Sequence, residues 1–216
     1  LANIVWSKRF DRGDGENGVG ILQKQDTLIV GIDLQNALVN YELVLMKLRL
    51  TDGAFIMSKK ITPDVRGLFN SYVLRDPVQP GYIISTHTIE NSSYADMKHT
   101  VIRVDEEFNV RKSQLFSFSP VTNDFYTGLA VLPNGSVIGT ASSQTNADGY
   151  LYRINEDNTG VFIKRFNAPT DRRLYRVAVS GQQLMAVGGA ISNGQEDFFV
   201  TSFDINGVLG AACNLE

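Results

Sequence analysis

Short runs of β-branched and aliphatic residues alternate along the chain with polar clusters rich in Gly, Asp and Asn. Four of the runs are interrupted by a small residue at the same place, at Val30-Gly31, Ile84-Ser85, Ile138-Gly139 and Val187-Gly188. The small residues lie 54, 54 and 49 positions apart. Apolar runs of this length bounded by turn residues read as strands, and aligning on the small residue places four in each unit. The pattern predicts strands at 18–24, 27–34, 41–50 and 55–61, then at 68–74, 82–90, 99–105 and 110–118. It continues with 127–132, 136–142, 149–155 and 160–166, and ends with 174–179, 183–191, 197–204 and 208–215.

Independent markers keep the same register. Each third strand ends in residues that tolerate turn or left-handed backbone, as at Thr51-Asp52-Gly53 and Asp204-Ile205-Asn206-Gly207. The fourth strands repeat as well: Trp6-Ser7-Lys8-Arg9-Phe10 matches Phe162-Ile163-Lys164-Arg165-Phe166, with Met57-Ser58-Lys59-Lys60-Ile61 between them. The run 37–50 has no Gly or Pro and many helix formers, yet its equivalents in other units are β-branched and aromatic, so it too reads as strand. Leu43 and Leu45 alternate with Val44 and Met46, which fits a strand covered on both faces. A period near fifty in a strand-rich chain indicates the blade of an all-β β-propeller. The expected blades span about 18–61, 67–118, 124–166 and 172–215 within one segment, 1–216. The small second-strand residues are expected where the sheets converge on the axis.

Residues 4–10 carry a fourth-strand signature although the final unit already has one at 208–215, which predicts that they end a preceding blade and that the chain is part of a larger propeller. An open sheet edge invites a partner strand, so the remaining blades or another chain are the expected companions. The opening Leu1, in place of Met, predicts a processed product or a piece of something longer.

Composition narrows the classes. A net charge of −3, with Lys and Arg in scattered pairs, gives no footprint for a nucleic-acid backbone. No stretch approaches eighteen apolar residues and the first residues lack a positive start, so neither a membrane span nor a signal peptide is expected. Cys213, the only cysteine, leaves the redox compartment open.

Trp6-Ser7-Lys8-Arg9-Phe10, followed by the Gly- and Asp-rich stretch 11–18, resembles the bacterial β-propeller repeat proteins whose blades end in Trp-Ser-Lys-x-Phe. Later units depart from it, with Phe162 in place of Trp. The resemblance implies a bacterial, secreted or cell-surface setting and no catalytic residues.

Candidate chemistry is sparse. Asp11, Asp14, Glu16 and Asn17 offer oxygen ligands for Ca²⁺, but the distal Glu of an EF-hand-like loop is replaced by Leu22, and the other units keep one acid here, Asp124 or Asp171. A connector between blades is the plainer reading. Arg12-Gly13-Asp14 is an integrin-type tripeptide, and Asn91 and Asn134 head formal glycosylation sequons. His87 and His99 are the only imidazoles, and no nucleophile, metal or phosphate motif accompanies them. The stretches 75–81 and 90–98 form the expected contact surface, with Arg75, Asp76, Glu90, Asn91 and Tyr94 as contact residues. The expectation is a non-enzymatic module without a cofactor, acting as a protein-binding or structural scaffold in a secreted or cell-surface assembly. The alternatives are a Ca²⁺-binding propeller, or a carbohydrate-active or hydrolytic one whose axial site uses His87, Glu90 or a loop Asp.

Overall fold

The computed structural model describes residues 6–9, 15–35, 41–61, 68–89, 97–116, 124–143, 149–166, 171–192 and 195–208. Fifteen strands fall within them. The first sheet is β1 (Gly15–Lys24), β2 (Thr27–Gln35), β3 (Tyr41–Arg49) and β4 (Phe55–Ile61). The second is β5 (Leu68–Arg75), β6 (Tyr82–Ile89), β7 (Met97–Val104) and β8 (Val110–Phe116). The third is β9 (Asp124–Val131), β10 (Val137–Ser143), β11 (Gly149–Ile154) and β12 (Gly160–Phe166), and the fourth is β13 (Asp171–Ser180), β14 (Gln183–Ser192) and β15 (Gln195–Asp204). Every sheet is an antiparallel meander in chain order. The segment 41–49 is a strand and not a helix.

Adjacent residues of one strand feed different cores, because successive side chains leave opposite faces of a sheet. Ile84 and Ile102 join Ile29, Leu43 and Leu45 between the first and second sheets. Their neighbours Ile83 and Val101 join Val137 and Tyr152 between the second and third. Ile138 and Leu151 then meet Leu174, Leu184 and Phe203 between the third and fourth. Each fully buried aliphatic side chain of this kind contributes about 1.5–3 kcal/mol, so stacking sheet on sheet is what holds the molecule together.

The sequence reading placed the second strands innermost, and this is corrected. The consecutive contacts run β1 to β5, β5 to β9 and β9 to β13, so the first strands form the inner edge of the stack. They run in the same sense: a Cβ on Gly20 would lie 3.5 Å from the Val73 nitrogen, while Asp33, cross-strand partner of Asn17, binds Ser71. Each first strand carries a register shift in its pairing with the second, opposite Gly31, Ser85, Thr140 and Val187, and such bulges sharpen the local twist. The small second-strand residues serve close packing instead. A Cβ on Gly31 would lie 3.0 Å from Val73 Cγ2, and one on Gly139 would lie 2.0 Å from the Tyr152 ring.

Residues 6–9 lie in no sheet; Trp6 Nε1 donates to the Leu50 carbonyl at 2.7 Å, and a Cβ on Gly53 would lie 2.7 Å from the indole. The fourth sheet has three strands among the described residues, and most of the expected strand at 208–215 lies outside them.

Candidate active site at one rim

Each four-stranded meander returns the chain to the end of the sheet where it entered, so the first strands start on one rim. At those starts the sequence supplies acids. Glu16 is the second residue of β1, opposite Leu34; Asp124 opens β9, opposite Ser143; Asp171 opens β13, opposite Ile191. Only the recurrence of an acid at this place in the first, third and fourth units signalled this in the sequence. What it could not supply was that these strands are the innermost.

Below that rim the strands carry buried polar side chains. Asp33, 2% exposed, accepts from the Ser71 backbone N–H at 3.1 Å and from Ser71 Oγ at 2.8 Å, and Ser71 Oγ lies 2.9 Å from Thr86 Oγ1. Thr88 and Thr100 share a hydrogen bond of 2.5 Å. His99 Nε2 is 2.8 Å from the Tyr152 hydroxyl and 3.4 Å from Ser85 Oγ. In the opposite halves of β6 and β7, by contrast, Ile83, Ile84, Val101, Ile102 and Val104 are buried and apolar. Buried polar groups are stabilising only when hydrogen-bonded, so this concentration of them in the half nearer the rim fits a rigid bed beneath a polar site.

The histidines belong to that bed. His87 and His99 face each other across β6 and β7, both at most 1% exposed. Burial pushes His87 down to about 3, and burial, then the neighbouring His87, holds His99 well below the usual imidazole range. Burial likewise raises the Tyr152 hydroxyl above the ordinary phenol range. Imidazoles kept neutral and enclosed do not serve as acid–base groups at pH 7, which removes His87 from the axial reading.

The other expected residues are dispersed. Glu16 and Asn17 lie in β1 and not in a loop, Asp11 and Asp14 lie outside the described residues, and no group of three potential metal ligands occurs among those described. Glu90, Asn91 and Tyr94 also lie outside them. Arg75 is exposed at the opposite rim. Asp76 is turned inward: its Oδ1 accepts from the Val78 and Gln79 N–H groups, and its Oδ2 lies 3.3 Å from Arg103 Nη1, so it is not a surface contact residue.

No family model and no curated protein matches the chain. Solved structures do. An exo-β-1,3-galactanase from Clostridium thermocellum aligns with a TM-score of 0.60 and 10% identity, covering 90% of this chain and 47% of the galactanase. A neuraminidase-like protein of a flat-faced bat strain aligns at 0.58 and 9%, covering 93% of this chain and 64% of that one. An α-L-arabinofuranosidase from Lactobacillus brevis aligns at 0.54 and 9%, covering 88% and 73%. This chain therefore spans about half to two thirds of the length of the first two. The fold is all-β, built of antiparallel sheets in the manner of a β-propeller. The expectation of a non-enzymatic scaffold is corrected here, because the folds this chain shares include those of carbohydrate-active enzymes.

Proposed function

We propose that the protein is a carbohydrate-active propeller that cleaves glycosidic bonds at the rim where β1, β9 and β13 begin. One observation carries the reading: three carboxyl-bearing positions, Glu16, Asp124 and Asp171, start innermost strands on one rim. That rim stands over the polar bed of Asp33, Ser71 and Thr86. Glycoside hydrolysis asks for little else, since one carboxylic acid protonates the leaving oxygen and a second carboxylate activates water or attacks the sugar. No imidazole, thiol or metal is required, which agrees with the poverty of other chemistry in the sequence. The fold likeness to a galactanase and an arabinofuranosidase supports the substrate class.

Glu16 is separated from Asp124 and Asp171 by the intervening β5, whereas Asp124 and Asp171 head neighbouring strands. Glu16 accordingly forms the acid–base pair with one of the two aspartates, and the remaining one orients the sugar. The test is release of reducing ends from β-1,3-galactan and arabinan by the protein and by Glu16→Gln, Asp124→Asn and Asp171→Asn. Each substitution in the pair should cut kcat/KM by about 10²–10⁴ with an unchanged melting temperature. Turnover by wild type that all three variants retain would refute the assignment, and no turnover on any glycan would refute the activity.

A further inference from the structure

At the rim opposite the carboxylates, a cavity of about 540 Å³ opens between the first and second sheets, within the usual range of small-molecule sites. The end of β1, the end of β5 and the start of β6 form its walls. Tyr82 lines it at only 2% exposure, and its hydroxyl has no hydrogen-bond partner among the described residues. A buried donor left unmet costs about 1–3 kcal/mol, a cost that a ligand would remove. Above it Arg75 is exposed, with no ion pair or hydrogen bond among the described residues. The other charges of the cavity are matched: Lys24 donates to Glu106, and Asp76 faces Arg103. What remains is one guanidinium, in the field of Glu106 but in no ion pair with it, beside one unmet hydroxyl. Leu22 and Pro80 add apolar wall, and Gln23 and the Lys24–Glu106 pair add donors and acceptors.

We infer that this cleft binds an acidic sugar, its carboxylate on Arg75 and the Tyr82 hydroxyl and its ring hydroxyls on Gln23, Lys24 and Glu106. A carboxylate suits the planar fork of Arg75, and the alternating polar and apolar lining suits the two kinds of surface on a pyranose ring. Burial and the nearby Glu106 raise the Tyr82 hydroxyl above its ordinary range while Arg75 pulls it down, which keeps it a donor at neutral pH and sets it in the field of both side chains. The inference draws the sugar class from the proposed function, but the two sites lie at opposite rims and fail separately.

Calorimetric titration of the whole chain with galacturonate, galactose and acetate tests it. Galacturonate should bind at least about tenfold more tightly than galactose, Arg75→Gln should weaken it about tenfold, and Tyr82→Phe several-fold. Tyr82→Phe keeps the ring in the core and removes the unmet hydroxyl, so a melting temperature that does not fall separates binding from folding. Glu16→Gln should leave galacturonate binding intact. Equal affinity for galactose and galacturonate, acetate binding as tightly as galacturonate, or binding indifferent to Arg75→Gln would each overturn the inference. Galacturonate binding without glycan cleavage would remove the proposed activity and leave this site standing.

Discussion

At the scale of single residues the clearest consequence of burial is at His87 and His99. The unfolded chain protonates an imidazole near pH 6.5, whereas folded His87 takes its proton only at about 3. Between those values the unfolded state binds more protons, so stability is fully present above pH 6.5 and is lost as pH falls toward 3. The slope reaches at most about 1.4 kcal/mol per pH unit for each such histidine. Urea midpoints measured from pH 7 to pH 4 should fall, and His87→Asn should flatten the curve; an unaltered slope in the variant would show that His87 does not contribute to it. Gly139 shows a second residue-scale rule. Its missing side chain makes room for the Tyr152 ring, whose hydroxyl reaches His99 in the neighbouring sheet.

At the scale of elements, each sheet grips the turn of the next. The third strands carry a basic residue at the same place: Lys47 Nζ lies 5.3 Å from the centre of the Phe108 ring, Arg103 Nε donates to Asn158 Oδ1 at 2.9 Å, and Arg153 Nη1 donates to the Ile205 carbonyl at 3.4 Å. The receiving turns match, with Gly53, Phe108, Asn158 and Gly207 all at φ between 62° and 74°. Phe108 and Asn158 tolerate this left-handed backbone because their side chains are buried in the contact between sheets. Arg103 is 5% exposed, and its guanidinium also donates to the Gly135 carbonyl at 2.8 Å and faces Asp76. Removing one member of a buried pair leaves the other charge uncompensated. Arg103→Met should therefore cost about 3 kcal/mol in chemical denaturation, while Arg111→Met, at an exposed position bonded to Gln79 and Pro80, should stay within about 0.5 kcal/mol. Equal costs would refute the staple.

At the scale of the whole molecule, stacked sheets bury their cores only against one another, so one sheet cannot leave without uncovering its neighbour. Trp6, the only tryptophan, reports on the turn of the first sheet through its bond to Leu50. Its fluorescence midpoint in urea should coincide with the loss of far-ultraviolet circular dichroism. A Trp6 transition at lower urea would mean that the first sheet opens separately.

The alternation of apolar runs with turn clusters determined the strands by itself: each of the fifteen begins and ends within three residues of its expected place. Strand formation follows from neighbours in sequence, β-branched residues between residues that break a strand, and a period near fifty repeats that local logic. The fate of residues 6–9 was not local. Trp6 docks on the Leu50 carbonyl and the open face of Gly53, partners more than forty positions away. Which strand lies innermost in the stack was likewise a matter of packing between sheets, and so was the gathering of Glu16, Asp124 and Asp171 on one rim. Asp76, legible as a polar loop residue, became a buried counterion only because Arg103 approaches it from another strand. Periodicity is written along the chain. Convergence depends on contacts between residues tens of positions apart, and those exist only once the sheets have stacked.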